Sequence, residues 1–457
     1  MRFTISNLRL SIALCAACLA VNNSFAADLP ANATNSISTG PQTQESYFID
    51  LPAALRLAGA QNLDVQIARE HLKEALANRQ SANQQFLPWL APGVNYHRRD
   101  GVAQAVPSGI ISDAHFQSYS PGVTLAAQVM LGDAIYNSLA AKQLVRASEQ
   151  GLQAQQQDAV LNAAQGYFEL ARAKALVEVA GEALTTSRDY QQQLHTAVAA
   201  GIAFKGDELR VQSQTEQYEI RLRQALEHLR IAGADLARIL HLDPRVELIP
   251  QQHELLPIAL FPTNVSTIAL VDRALVSRPE LKQNAAFLSA ARESEKGAVY
   301  GPLVPTIGAQ VFAGGLGGGP DSGPSHFAAE GDYLVGLSWK IGPGGLFDGG
   351  RIKANRARVA TAAIEGSKLK DAISSDVVTI VARMQSLGAQ IDVTERNLGT
   401  ATETLRLTHE RKQFGVGIVL EDIQAQQDLT RARSDYVTTL SEFNKAQYAL
   451  ARAVGGL

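Results

Sequence analysis

Cysteine is nearly absent from this chain. The 457 residues include two cysteines, Cys15 and Cys18, and both lie close to the N-terminus. The rest of the chain therefore has no disulfide, no thiolate metal site and no cysteine nucleophile. An excess of positive charge is lacking as well, because 41 Lys and Arg residues face 44 Asp and Glu residues, giving a formal net charge of -3. There is thus no basic excess of the kind that indicates binding to nucleic acid.

Motifs for catalysis or ligand binding are also missing. The nine histidines are scattered, and there is no His-Glu-x-x-His, Gly-x-Ser-x-Gly or phosphate-loop pattern. The run Gly317-Gly318-Gly319 lies between two predicted strands, so we interpret it, with His326, as part of a surface loop and not as a nucleotide site. The sequence predicts a protein that is not an enzyme, with no catalytic residue, no cofactor and no metal.

The first 26 residues have the pattern of a cleavable export signal. Basic residues precede a mostly apolar run from Leu10 to Val21, and small residues occupy the -3 and -1 positions of a cut after Ala26. We therefore expect residues 1–26 to be a signal peptide and the protein to be exported. The alternative is a lipid anchor on Cys18, which would require Cys15 to replace the leucine that is usual three residues earlier.

The sequence contains an internal repeat, with its two copies offset by 214 residues. The segment around Gly201, Asp207 and Glu208 matches the segment around Gly415, Glu421 and Asp422 without gaps. The offset continues to the C-terminus, where apolar residues recur at intervals of seven, at Tyr436, Phe443 and Leu450. Such spacing predicts long helices that pack as coiled coils.

Each half has the same predicted order of helix, two strands and long helical hairpin. In the first half a helix from about Leu51 to Gln85 ends at Leu87-Pro88. In the second half a helix from Ala269 to Tyr300 ends at Pro302 and Pro305. Strands at Thr306 to Phe312 and Asp332 to Ile341 then flank a glycine-rich loop. The predicted divisions are an N-terminal extension (27–50), a first repeat (51–242), an inter-repeat segment (243–268) and a second repeat (269–457).

The strands alternate between apolar and polar or small residues, as membrane strands with a lipid face and a lumen face do. The proposed lipid-facing residues of the last strand are Tyr333, Val335, Leu337, Trp339 and Ile341. A half-buried sheet of a soluble protein gives the same alternation. Four strands cannot close a barrel, and an open edge in lipid would leave backbone groups unpaired. A membrane sheet of this kind therefore requires association, and three copies would supply 12 strands.

Several motifs in this order resemble the TolC-like family of outer-membrane efflux channels. They are the Arg278-Pro279-Glu280-Leu281 run, the two helix-ending Leu/Val-Pro pairs, Leu346 to Arg351 after the last strand, and the stretch from Phe414 to Ala451. The resemblance covers Leu51 to Gly455. It implies a mainly α fold of the α+β class, in which two tandem repeats trimerise into a 12-stranded β-barrel above an α-helical periplasmic tunnel. The inter-repeat segment and the termini would form an equatorial collar.

The resemblance also implies a location and partners. The homotrimer would lie in outer-membrane lipid, with its helices in the periplasm, and would contact a periplasmic membrane-fusion adaptor and an inner-membrane efflux pump or secretion ATPase. Gly201 and Gly415 would form the turns at the periplasmic tips. No nucleic-acid partner is implied.

The family's periplasmic gate maps onto four positions of this sequence. The family constricts its tunnel with acidic residues six and nine positions after the second tip glycine, which are Glu421 and the neutral Gln424 here. A further acidic residue, Asp207, follows the first tip glycine, and we expect it to pair with Lys412. A simpler role for the acidic residues is to face the positive end of a helix dipole.

Two other functions remain open at this point. A type I protein-secretion conduit would have the same architecture as an efflux duct for small molecules. A soluble periplasmic coiled-coil scaffold would explain the export signal and the seven-residue spacing, but not the four symmetrically placed strands.

Overall fold

The computed structural model describes residues 46–104, 109–252, 254–320, 326–413 and 418–457. The predicted signal peptide, Cys18 and Gly415 therefore lie outside the described residues. In chain order the elements are β1 (Ser46–Ile49), α1 (Leu51–Gln61), α2 (Leu63–Gln84), β2 (Trp89–Gln104), β3 (Ile111–Met130), α3 (Leu131–Ala199), α4 (Lys205–Leu240), β4 (Glu247–Pro250), α5 (Thr267–Ser277), α6 (Pro279–Tyr300), a 3₁₀ turn (Gly301–Leu303), β5 (Thr306–Pro320), β6 (His326–Ser338), α7 (Gly349–Gln413) and α8 (Val419–Ala453).

Two very long helices dominate the chain. Helix α3 has 69 residues and α7 has 65, so each spans about 100 Å at 1.5 Å per residue. Neither contains proline, and both are rich in alanine, which favours uninterrupted helix. Each pairs with the shorter helix that follows it, α3 with α4 and α7 with α8. The predicted mainly α fold with two tandem repeats is confirmed.

The first helix of each repeat is divided in two, where the sequence predicted a single helix. In the first repeat the break is at Asn62, whose side chain accepts hydrogen bonds from the backbone N–H groups of Asp64 and Val65 at 2.9 and 3.2 Å. This cap starts α2 independently of α1. In the second repeat the break is at Arg278, which Pro279 keeps out of the helical conformation.

The four long strands form one antiparallel sheet in the order β2-β3-β5-β6. The strands of this sheet are 16, 20, 15 and 13 residues long, and β5 and β6 are longer than the predicted strands Thr306 to Phe312 and Asp332 to Ile341. The expected glycine-rich loop from Gly314 to Gly331 is wrong for most of its length, because Gly314–Gly318 pair with Glu330–His326 within the sheet. The last strand also ends earlier than predicted. Ser338 pairs with Thr306, the first residue of β5, and beyond this point the described residues show an isolated bridge from Ile341 to Leu346 in place of a paired strand.

Glycine is needed within β5 because aromatic rings lie against its backbone. A Cβ atom built at Gly315 would lie 2.2 Å from the Phe327 ring, and one at Gly317 would lie 2.7 Å from the Tyr119 ring. These two rings stack with centroids 6.2 Å apart. The glycines in this strand thus make room for cross-strand aromatic side chains, which a loop prediction from composition does not anticipate.

A second, two-stranded sheet was not predicted. Strand β1 runs parallel to β4, pairing Ser46 with Glu247 and Ile49 with Pro250. The first strand lies in the predicted N-terminal extension and the second in the predicted inter-repeat segment. Two four-residue strands separated by about 200 residues carry little local signal, so only the tertiary structure shows that they pair.

Each repeat buries its own apolar core beside its hairpin. The first core joins β1, α1, α3, α4 and β4 around the fully buried side chains of Tyr167, Leu236 and Leu240. The second joins α5, α7 and α8 around Ile373, Met384 and Leu450. Leu236 and Leu450 are related by the 214-residue offset, so the duplication extends to the packing.

A partly buried ionic cluster links the two repeats. The Nη2 atom of Arg452 donates to Glu280 Oε1 at 2.5 Å, and its Nε atom donates to Asp158 Oδ1 at 2.7 Å. The Nε atom of Arg278 donates to the carbonyl oxygen of Ala453 at 2.8 Å. Asp158 belongs to α3 of the first repeat and Arg452 to α8 of the second, so the cluster joins the two repeats at the break between α5 and α6.

Within the part of the chain that the structure describes, none of the helices is both long and apolar enough to cross a membrane.

Candidate functional site

The tip of the first hairpin is a tight glycine turn. Helix α3 ends at Ala199, and Gly201 follows with a positive φ of 75°. The N–H of Gly201 donates to the carbonyl of Val198 at 3.0 Å, and the N–H of Ile202 donates to that of Ala197 at 2.9 Å. This pair of bonds is a Schellman motif, which needs a residue in the left-handed region. Gly201 therefore has the backbone role expected of a tip turn.

The acidic residues of this hairpin begin α4. Asp207 and Glu208 lie in its first turn, where carboxylates interact favourably with the helix dipole. Glu208 accepts from Lys205 Nζ at 2.6 Å and from His195 Nδ1 at 2.8 Å. Hydrogen bonds from these two groups hold the pKa of Glu208 below its usual range. Asp207 lies 3.5 Å from Arg210 of its own helix.

The second hairpin has corresponding acidic residues at the start of α8. Glu421 pairs with Arg411 at 3.2 Å, and Asp422 pairs with His409 Nε2 at 2.9 Å. Gln424 lies one turn further along α8 with its side chain exposed. The backbone of Lys412 belongs to α7, but its side chain is outside the described residues, so the predicted Asp207–Lys412 pair stays a prediction.

Polar contacts join the two hairpins near their tips. Gln427 of α8 donates to Gln214 of α4, and Arg433 of α8 pairs with Glu182 of α3. Tyr190 of α3 lies near Asp422 of the other hairpin and near Asp207. Burial raises its pKa well above its ordinary value of 10, and the negative charges of these two aspartates raise it further.

Sequence reasoning missed several residues of this site. It identified Asp207, Glu421 and Gln424, but not Tyr190, His195, His409 or Arg411. The repeat offset contained part of the signal, since adding 214 to His195 gives His409 and adding 214 to Glu208 gives Asp422. Among the described residues there is no group of three or more His, Cys, Asp and Glu side chains able to hold a metal ion.

The residues expected to face lipid lie at the edge of the four-stranded sheet. Tyr333, Val335 and Leu337 project from one face of β6 and are exposed in the single chain. Trp339 and Ile341 follow the end of the strand. The indole Nε1 of Trp339 donates to the carbonyl of Leu303 at 3.2 Å, which ties this segment to the turn before β5.

The long duplicated hairpins and the four-stranded sheet define a channel protein of the outer membrane. The family model described as "Outer membrane efflux protein" matches the chain twice, over residues 54–240 and 270–456. The chain belongs to this family. It is an efflux protein of the outer membrane, and its helical part extends into the periplasm.

Solved structures of outer-membrane channels have the same fold. The Campylobacter jejuni CmeC channel is 16% identical over 89% of this chain and 85% of its own, with a TM-score of 0.76. The Vibrio cholerae protein VceC is 20% identical over 89% and 96%, with a TM-score of 0.73. The open state of Neisseria gonorrhoeae MtrE is 18% identical over 89% of both chains, with a TM-score of 0.68. Among curated protein sequences, no match to this chain was found.

Proposed function

We propose that three copies of the chain join their sheets into one 12-stranded barrel in the outer membrane. The observation that carries this proposal is the open sheet, whose edges within the described residues are β2 and β6. An open edge in hydrocarbon leaves N–H and C=O groups unpaired, so β2 of one copy would pair with β6 of the next. The exposed Tyr333, Val335 and Leu337 would then contact lipid, with Trp339 and Ile341 at the rim.

The helical hairpins of the trimer would continue the barrel as a passive tunnel with no catalytic role. Its mouth would lie at the tips formed by Gly201 and Gly415. Three copies of Glu421 around one axis would form an acidic ring that favours cations. Gln424, being neutral, leaves this ring with fewer negative charges than the family pattern has. Within one chain Glu421 lies 3.2 Å from Arg411, whose positive charge offsets part of the negative charge of this ring.

The partners of the tunnel would be a periplasmic membrane-fusion adaptor and an inner-membrane pump. Family membership favours a duct for small molecules over a soluble periplasmic scaffold. The division into an N-terminal extension (27–50), two repeats (51–242 and 269–457) and an equatorial segment (243–268) is part of the same proposal. It is supported by the pairing of β1 with β4, which joins the extension to the inter-repeat segment.

Planar-bilayer recordings of the detergent-purified protein test the proposal, with chemical crosslinking to count subunits. Discrete cation-selective channels from a trimer are the expected result, and a non-conducting monomer would refute it. Deleting the gene that encodes this chain should raise the accumulation of small toxic molecules inside the cell. Loss of one secreted protein with unchanged accumulation would instead indicate a protein-secretion conduit.

A further inference from the structure

The two edge strands of the four-stranded sheet carry opposite charges on the same face. Directly opposed residues share a face, and the register links Ala91 of β2 to Asp332 of β6 through the two strands between them. Because side chains alternate with a period of two, Arg99 of β2 and Glu330 of β6 also lie on this face. It is opposite to the face that carries Tyr333, and is therefore the lumen face of the proposed barrel.

These charged residues of the edge strands are not neutralised within their own sheet. The residue opposite Glu330 on β5 is Gly314, which has no side chain, and the residue opposite Arg99 on β3 is the apolar Phe116. Among the described residues, no ion pair or side-chain hydrogen bond involves Glu330 or Arg99. Glu330 is half-buried already in the single chain, and a carboxylate withdrawn from water is stabilised by a nearby cation.

The lengths of the edge strands restrict how two copies can join. Strand β6 has 13 residues and β2 has 16. If the rows of directly opposed residues ran straight into the next copy, Glu330 would face Gly93, and residues 335–338 would extend past the start of β2 at Trp89. Val335 and Leu337 are proposed to face lipid, where unpaired N–H and C=O groups are costly. A straight continuation is therefore unfavourable.

Closure of a barrel displaces these rows along the strands. With strands tilted by about 35–45°, a row that crosses the four strands of one copy reaches the next copy about four to six residues out of step. The displacement must be even, because an odd one would bring the lumen face of one copy beside the lipid face of the next. Displacement towards the C-terminal end of β2 gives every residue of β6 a partner, whereas the opposite direction leaves most of β6 unpaired.

This displacement brings Glu330 of one copy to Arg99 of the next. If it is about six residues, the two lie directly opposite each other; if it is about four, Glu330 faces His97 and Arg99 is its diagonal neighbour. An arginine side chain reaches a carboxylate from either position. Asp332 then faces His97 or Asn95, and both of these side chains can donate a hydrogen bond.

We propose that Glu330 of each copy forms an ion pair with Arg99 of the next copy on the lumen side of each seam, the line where β6 of one copy meets β2 of the next. The partner of this charged edge is thus a second copy of the same chain. Backbone hydrogen bonds alone form equally well after a slip of two residues. Three such ion pairs set the register in which the sheets close. The inference rests on the proposed function, because it requires the barrel of three copies.

Charge reversal in the full-length protein tests the pair. Arg99→Glu or Glu330→Arg alone places like charges together at all three seams. Each should raise the dissociation constant of the trimer about tenfold, since each seam contributes roughly a twofold effect. Combining both substitutions restores opposite charges and should return the constant to that of the unaltered protein. Light scattering after size-exclusion chromatography, over a dilution series in mild detergent, measures the trimer.

The adjacent Arg98 offers a matched control. It lies on the same strand but on the opposite face, where its Nε atom donates to Asp100 Oδ2 at 2.8 Å. Arg98→Glu makes the same change of charge, but combining it with Glu330→Arg should not restore the trimer. Recovery with this control, or a lack of recovery when Arg99→Glu is combined with Glu330→Arg, would overturn the proposal.

Cysteine crosslinking locates the contact directly. Arg99→Cys combined with Glu330→Cys, treated in membranes with a short bifunctional thiol reagent, should give covalently linked dimers and trimers on denaturing gels. Gly93→Cys with Glu330→Cys is the control pair, because Gly93 lies roughly 13–20 Å along β2 from the residue that faces Glu330. The single-cysteine variants reveal any crosslink through Cys15 or Cys18. Crosslinking of the control pair alone would overturn the proposal.

The same experiments separate the ion pair from the channel. If the unaltered protein is a monomer at every concentration and does not conduct, the proposed function fails. If it is a conducting trimer whose stability is unchanged by both single reversals, the ion pair is refuted and the proposed function stands.

Discussion

Replacing Arg452 with methionine should destabilise the junction between the repeats. Its guanidinium group is 6% exposed and bonds to Glu280 at 2.5 Å and to Asp158 at 2.7 Å. Methionine fills a similar volume without charge, so both carboxylates would lose their shared cation. Arg383→Met is a matched control, because Arg383 is 64% exposed and its 2.6 Å bond to Glu442 can be replaced by water.

The magnitude follows from the exposure of the partners. A hydrogen bond between charged groups contributes about 1.5–3 kcal/mol when it is buried. Asp158 is 43% exposed and Glu280 is 24% exposed, so solvent screens part of each bond. We therefore expect Arg452→Met to lower the free energy of unfolding by about 2–3 kcal/mol. The exposed control should cost under about 1 kcal/mol.

The pH dependence provides a second readout. Burial on its own raises the pKa of Glu280, but the hydrogen bond from Arg452 and the positive charges of Arg452 and Arg278 outweigh burial, so its pKa is lowered overall. A carboxyl group with a lowered pKa stabilises the fold above its ordinary value of 4.5 and loses this contribution as the pH falls. The difference between the unaltered protein and Arg452→Met should thus be full at pH 7 and shrink below about pH 4.5.

Urea unfolding followed by far-ultraviolet circular dichroism, in detergent, measures both effects. Equal destabilisation by Arg452→Met and Arg383→Met would refute the reasoning. So would a difference that stays constant from pH 7 to pH 3.5, because it would show that the carboxylates are not what Arg452 stabilises.

Four further substitutions, one of them a control, test the junction of sheet and helix and the tunnel mouth. A Cβ atom at Gly132 would lie 2.1 Å from the backbone oxygen of Gly301, whereas one at Gly181 in the same helix meets nothing within 4 Å. Gly132→Ala should therefore lower the free energy of unfolding by about 1–3 kcal/mol. Gly181→Ala should raise it by up to about 1 kcal/mol. Thermal unfolding transitions that shift in the same direction in both variants would contradict this. Glu421→Gln should reduce cation selectivity in bilayer recordings. An unchanged reversal potential would show that Glu421 does not line the tunnel mouth. Lys412→Ala should raise conductance if this residue holds Asp207, and unaltered gating would exclude that pair.

The sequence by itself determined the duplicated plan and the ends of several elements. The first helix of each repeat ends before its proline pair as predicted, and β2 and β5 begin directly after these pairs, at Trp89 and Thr306. These features depend on local properties, namely apolar spacing, the absence of an amide hydrogen in proline and the conformational range of glycine. Local properties act within a few residues, so they can be read along the chain.

Only the tertiary structure decided which distant groups meet. Composition predicts a loop for the glycines of β5, whereas the structure places them in a strand against the rings of Tyr119 and Phe327. Glu421 pairs with Arg411, and the buried Asp422 pairs with His409, although sequence reasoning considered neither partner. Strand β1 pairs with β4 across the whole first repeat. Each of these contacts depends on register and packing between different elements, because partners are selected by position in three dimensions and not by spacing in the sequence.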